Sequence, residues 1–296
     1  MIASPEPTAA PGTAGAPAGL DPCLATLREN DRDRYLACLL APEAARPSLA
    51  ALYAFHAEIA RVRDVVREPL PGEIRLQWWR DVLDDPSGGK ASGHPVAKAL
   101  LQAVADHRLP LQVLHDMIDA RIFDLYDDPM ESRHALEGYA GETASALIQL
   151  AGLMLDPAAV AGAADAAGHA GVAQTVAGLL LLAPIHRARG QVFFPLDLLA
   201  ATGLDRERFL EGQDKQALAR AVDAMIGLGR EHLTKARAAA RGLSPGLRPA
   251  FVTVALAEPV FDRAARAGAA VFDQPVAPPQ WRRQWRMWRA ARSGRW

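Results

Sequence analysis

Apolar residues return every three or four positions along most of this chain, the period of helices that bury one face. The pattern begins near Asp21 and runs through DRYLACLLAPEAARPSLAALYAFHAEIARVRDVV, where Pro42 and Pro47 punctuate at least two helices. A third helix is predicted over GEIRLQWWRDVLDD, with Ile74, Trp78 and Leu83 on one side, and DPSGGKASGHP after it is a loop by composition. Further helices are predicted from Val96 to about His107, from Pro110 to a stop at Pro129, from an N-cap at Ser132 through LEGYAGETASALIQLAGLML, and over about 157 to 183. RARGQVFFPLDLLAATG holds the one strand-like apolar run; it is too short for a sheet and reads as a loop entering a short helix. Helices resume at about 214 to 241 and 246 to 272, and PPQWRRQWRMWRAARSGRW predicts a short terminal helix after its proline pair.

Composition narrows this to an all-α protein. Hydrophobic residues are 50% of the chain and aromatics 6%, with Ala and Leu abundant, a supply that suits packed helices. The 296 residues fit one domain. MIASPEPTAAPGTAGAPAG lacks the basic and apolar regions of a signal peptide and cannot bury a core, so residues 1 to 19 are expected to be a disordered tail. A helical domain is expected over 20 to 275, and a basic, Trp-rich segment over 276 to 296. GVAQTVAGLLLLAPI comes nearest to a membrane span, but Gln174 and Thr175 interrupt it, so a buried core helix is expected instead. Cys23 and Cys38 form no CxxC, which argues against a disulfide framework or zinc site and fits a reducing cytoplasm.

The net charge of −1 and pI near 6.7 give no footprint for nucleic acid. The distribution is more informative, because residues 281 to 296 hold six arginines and no acid. On a helix Trp281, Trp285 and Trp288 share one face, while Arg282, Arg283, Arg286 and Arg289 lie on another. Such a helix either docks on an anionic membrane surface or an acidic partner, or packs its tryptophans onto the domain.

Five segments in order carry a resemblance: RYLACLLAPEAARPSLAALYAFHAEIARVRD, RLQWWRDVL, MIDARIFDLYDD, LEGYAGETASALIQLAGLML and HRARGQVFFPLDLL. Over about residues 32 to 200 they resemble the successive blocks of squalene and phytoene synthases. The resemblance implies a helical isoprenoid-synthase fold in which two aspartate-rich motifs face each other across a central cavity. It also implies Mg²⁺, held by those carboxylates, that ionises a prenyl diphosphate, since this hard cation takes oxygen ligands and neutralises the departing charge.

The two motifs are degraded in this chain. The first, near YAFCRxxDDxVD in the family, matches YAFHAEIARVRD from Tyr53 to Asp64; its paired aspartates fall on Ala60 and Arg61, and Asp64 alone survives. Arg61, three residues earlier, is expected to pair with Asp64 on the helix surface, while Glu58 lies off the motif face. The second motif matches LLAPIHRARGQVFFP, with its aspartates at Leu182 and His186. Leucine cannot ligate Mg²⁺ and histidine suits it poorly, so no metal site is expected unless the chain is active through Asp64.

Other polar residues remain candidates. Asp124 matches an acid common in the family and is either a pocket-facing group or part of a solvated helix end; Asp127 and Asp128 read as solvated. His186, Arg187 and Arg189 form a candidate anion site, against the alternative of a basic loop in water. His56 reads as a packing histidine, and Trp78 and Trp79 as core and rim aromatics.

The blocks AFHAEIARVRDVV, RLQWWRDVL and LLAPIHRARGQVFFPLDLL are most similar to the branch with degraded motifs that is associated with respiratory complex I biogenesis. That resemblance implies a non-catalytic accessory or assembly protein that binds a protein partner, a lipid or an isoprenoid, placed in the cytoplasm or peripherally on the inner face of a membrane. The alternative is an active head-to-head prenyl diphosphate transferase using Mg²⁺.

Overall fold

Local chemistry sets most helix starts. In the computed structural model, which describes residues 21–85 and 87–296, Asp21 accepts from the Leu24 N–H at 3.0 Å and opens α1 (Pro22–Asn30). Asp31 caps α2 (Arg32–Leu40) in the same way through the Arg34 N–H. The expected tail over residues 1 to 19 lies outside the described residues. Helix α3 (Arg46–Ala60) is buried continuously from Leu49 through Ala57, breaks at Arg61 and resumes as the single turn α4 (Val62–Val65).

The next elements are α5 (Pro69–Leu83), α6 (Pro95–His107) and α7 (Leu111–Ala120). Helix α5 differs from the expected face: its buried stripe is Gly72, Leu76, Trp79 and Leu83, whereas Ile74 is 62% exposed and Trp78 sits at the rim. Helix α7 ends well before Pro129, because a 3₁₀ turn at Phe123–Leu125 drives Leu125 into the core over Gly72, where a side chain would leave no room.

Ser132 caps α8 (Arg133–Ala140), which passes through a π-helical turn, Gly141–Ser145, into α9 (Ala146–Leu155). Helix α10 (Ala164–Ala188) continues through Pro184, past the expected end. It is the described helix long and apolar enough to cross a bilayer, yet most of it is buried, lying along α13 (Lys215–Ala239) after the short α11 (Leu196–Ala201) and α12 (Arg206–Glu211). The segment before α11 is extended but forms no strand: Met130 and Leu196 bond there through their backbones.

The expected helix over 246 to 272 divides into α14 (Arg248–Phe251), a 3₁₀ stretch, α15 (Ala257–Ala267) and a further 3₁₀ turn; α16 (Gln280–Ser293) closes the chain. One apolar cluster runs from Cys23 to Met287. Both cysteines are free within it, and burial lifts each thiol to about 12, which leaves them unreactive.

Candidate functional site

The break at Arg61 and the long run of α10 leave a cavity of about 360 Å³ between them. Ala60 and Asp64 lie on one wall, and Leu182 and His186 on the other. Leu182 and Ile185, 45% and 46% exposed, make the α10 wall apolar toward the opening. Tyr53 is not part of the lining; it is buried in the core.

Asp64 pairs across the gap rather than along its own helix. Its Oδ1 lies 2.8 Å from Arg189 Nη2, so the surviving acid of the first motif is held by an arginine of the second. The expected Arg61–Asp64 pair does not form: the helix break turns Arg61 away, and it donates to Asn30 Oδ1 on the far side of α3.

The turn after α7 supplies the buried part of the site. Arg121 Nη1 lies 3.0 Å from Asp124 Oδ2, the Tyr139 hydroxyl donates to Asp124 Oδ1 at 2.8 Å, and Gln191 Nε2 donates to the Asp124 carbonyl at 3.0 Å. Asp124 is thus pocket-facing, and burial raises its carboxyl while Arg121 opposes that rise. Asp127 and Asp128 are exposed. His56 receives Arg121 Nη2 at its Nε2, 3.3 Å away, and burial lowers its pKa well below the histidine range. Being neutral with Nε2 accepting, its ring carries the proton on Nδ1.

The cations around the cavity differ from the trio read in the sequence. Arg187 leaves the cavity and donates to the Leu210 and Glu211 carbonyls at 3.2 and 3.1 Å, beside Asp273. Burial, with help from Arg189, lowers His186 to about 4, so its ring is neutral and rests on Phe193. Of the three, Arg189 remains as a cation in the lining, joined by Arg34, Arg63 and Arg121 from three other elements. Sequence reasoning missed these. The spacing of Arg121 and Asp124, three apart in ARIFD, was the available signal.

The lining therefore sets four arginines against two aspartates, each aspartate already paired. Among the described residues no group of three or more metal-ligating side chains exists. These residues do not fit a magnesium cluster, because its positions are alanine, leucine and a neutral histidine amid cationic side chains. What the site does offer is positive charge, from the guanidinium groups of Arg34, Arg63, Arg121 and Arg189.

A second cavity, about 510 Å³, lies across α3 and is lined by Glu58, Arg61, Trp78, Trp79 and His94. Burial lifts the Glu58 carboxyl from 4.5 to about 7, against the pull of Arg61. The folded chain holds this proton more tightly than the unfolded chain, so the contribution is fully present below the ordinary glutamate range and is lost as pH rises through about 7. Glu58→Gln, which keeps a neutral side chain at every pH, is expected to match the parent in thermal melts near pH 4 and to melt progressively higher than it from pH 5 to pH 8.

An all-helical body with two motif-bearing walls facing across one cavity defines the isoprenoid-synthase fold. The sequence model described as squalene/phytoene synthase matches residues 27–289, and the chain belongs to that family. Its curated relatives include the bovine (Bos taurus) protein named NADH dehydrogenase (ubiquinone) complex I, assembly factor 6, 34% identical over 85% of this chain and 77% of that protein. The human (Homo sapiens) protein of that name is 31% identical over 84% of this chain and 75% of its own length. Among solved structures, a dehydrosqualene synthase in complex with a ligand shares the fold, with a TM-score of 0.75 over 92% of this chain and 94% of that one at 17% identity.

Proposed function

We propose that this chain is a non-catalytic member of its family, an accessory protein in the assembly of a respiratory NADH dehydrogenase complex that acts by binding. The observation that carries this reading is the Asp64–Arg189 pair. It spans the two walls where carboxylates would have to converge on metal, and it occupies the one acid left in either motif. Ionising a prenyl diphosphate needs strong neutralisation of the departing charge, and a metal cluster supplies several kcal/mol of that. Alanine and leucine at the motif positions supply none. The names of the relatives support the assembly role.

The cavity in this reading holds an isoprenoid or other lipid. Leu179, Leu182, Ile185 and Phe193 offer an apolar wall, and the guanidinium groups of Arg34, Arg63, Arg121 and Arg189 in the lining would pair with an anionic head group.

The test is a single-turnover assay of the purified chain with farnesyl and geranylgeranyl diphosphate, with and without Mg²⁺. Neither pyrophosphate nor a condensed product is expected under any condition. Mg²⁺-dependent turnover that disappears in Asp64→Ala would overturn the proposal in favour of prenyl transfer. For the assembly role, cells lacking this chain are expected to lose assembled NADH dehydrogenase and regain it on expression of either the parent or Asp64→Ala. Unchanged levels of the complex would reject that role.

A further inference from the structure

The C-terminal helix is mounted with its tryptophans facing outward. Met287 and Ala290 are buried against the domain, and Arg283 bonds Asp33 of α2. At about 100° per residue, the stripe of Trp281, Trp285, Trp288 and Arg292 lies opposite that packed face. The tryptophans are accordingly 63%, 52% and 39% exposed. Packing of these rings onto the domain, one of the two readings of the segment, is therefore not what the helix does. Trp285 and Trp288 instead stack on each other at 5.2 Å, and Arg282 and Arg292 lie over Trp281 and Trp288.

We propose that this face of α16 docks the protein on the surface of an anionic phospholipid bilayer. Three observations select that occupant. First, Arg282, Arg286, Arg289, Arg292 and Arg295 are exposed and no acid occurs from 281 to 296, whereas residues before 281 carry a net charge of −7. An anionic surface attracts this helix and repels the rest of the chain, which fixes the orientation of approach. Second, the apolar residues of the stripe are all tryptophan, the side chain whose flat ring and single N–H suit the headgroup boundary, rather than the branched aliphatics of a protein groove. Third, the stripe is exposed on a helix already formed and anchored by its opposite side, so docking needs no folding step. This assignment is independent of whether the cavity is catalytic.

Flotation of the full chain with vesicles tests it, using phosphatidylcholine alone or with phosphatidylglycerol. Binding is expected only with phosphatidylglycerol, and it should weaken as salt is raised. The triple variant Trp281→Ala, Trp285→Ala, Trp288→Ala is expected to bind about tenfold or more weakly. The variant Arg282→Gln, Arg286→Gln, Arg289→Gln is expected to lose about fivefold per charge removed. Both sets lie off the packed face, and an unchanged melting temperature and far-ultraviolet circular dichroism will separate docking from unfolding. No flotation of the parent, or equal flotation of parent and tryptophan variant, overturns the proposal. So does capture of the parent by soluble polyglutamate without vesicle binding, which would give the stripe to an acidic protein partner.

Discussion

Asp124→Ala lowers the stability of this protein by about 3 to 5 kcal/mol, the cost of leaving one member of a buried ion pair without its partner. The Arg121 and Asp124 side chains are 12% and 13% exposed, so water reaching them from the cavity replaces the lost carboxylate only in part. The Tyr139 hydroxyl loses its acceptor in the same step. Urea unfolding is expected to show the loss as a lower midpoint with little change in slope. Asp124→Asn is expected to recover part of it, since an amide oxygen still accepts from Tyr139 while the Arg121 charge stays uncompensated. Asp64→Ala supplies the contrast. Its pair with Arg189 is 47% and 36% exposed and belongs to the class of solvated pairs that contribute under about 1 kcal/mol. A motif acid that is nearly neutral for stability beside one that is indispensable would separate the two polar groups of the cavity by role. Equal, small losses in both would mean that the Arg121 network is more hydrated than its burial shows.

The second large effect belongs to Gly171. A Cβ there would lie 2.1 Å from Ser145 Oγ and 2.4 Å from the Ser145 backbone nitrogen. Ser145 ends the π-helical turn, and its hydroxyl donates to the Gly168 carbonyl at 3.0 Å, so α10 and that turn meet backbone to backbone. A flexible side chain could move aside; a backbone cannot without displacing Thr143 and Ala144 from the cavity wall. Gly171→Ala is expected to cost about 2 kcal/mol or more, overpacking outweighing the gain of about 1 kcal/mol from replacing a helical glycine. Gly168→Ala, three residues earlier with no atom within 4 Å of the new Cβ, is expected to be neutral or stabilising by up to about 1 kcal/mol. Thermal melts of the two variants therefore move in opposite directions. A shared direction would reject the close approach.

These contacts mark the limit of what periodicity conveys. Helix starts were legible because a cap is a short-range bond: Asp21, Ser132 and Asp214 each reach an N–H three residues on. The all-helical class was legible in the apolar spacing, and the family in the order of its blocks. The absence of acids at Ala60 and Leu182 could be read directly, since a residue type is a fact of sequence.

What the sequence by itself determined, then, was the all-helical class with several of its helix starts, the family and the loss of the metal motifs. Tertiary structure alone decided which side of each helix faces inward and which distant charges meet. Helix α16 carries apolar residues on two opposite sides, and spacing gives no rule for choosing between the tryptophan stripe and the Met287 and Ala290 side. Helix α5 posed the same ambiguity between Ile74 and Leu76. Asp64 had an arginine three residues away and still paired with Arg189, because the break at Arg61 reversed the direction of one and brought the other across the cavity. The physical reason is range. Backbone hydrogen bonds and caps act within one turn, whereas burial and ion pairing depend on surfaces that only folding brings together.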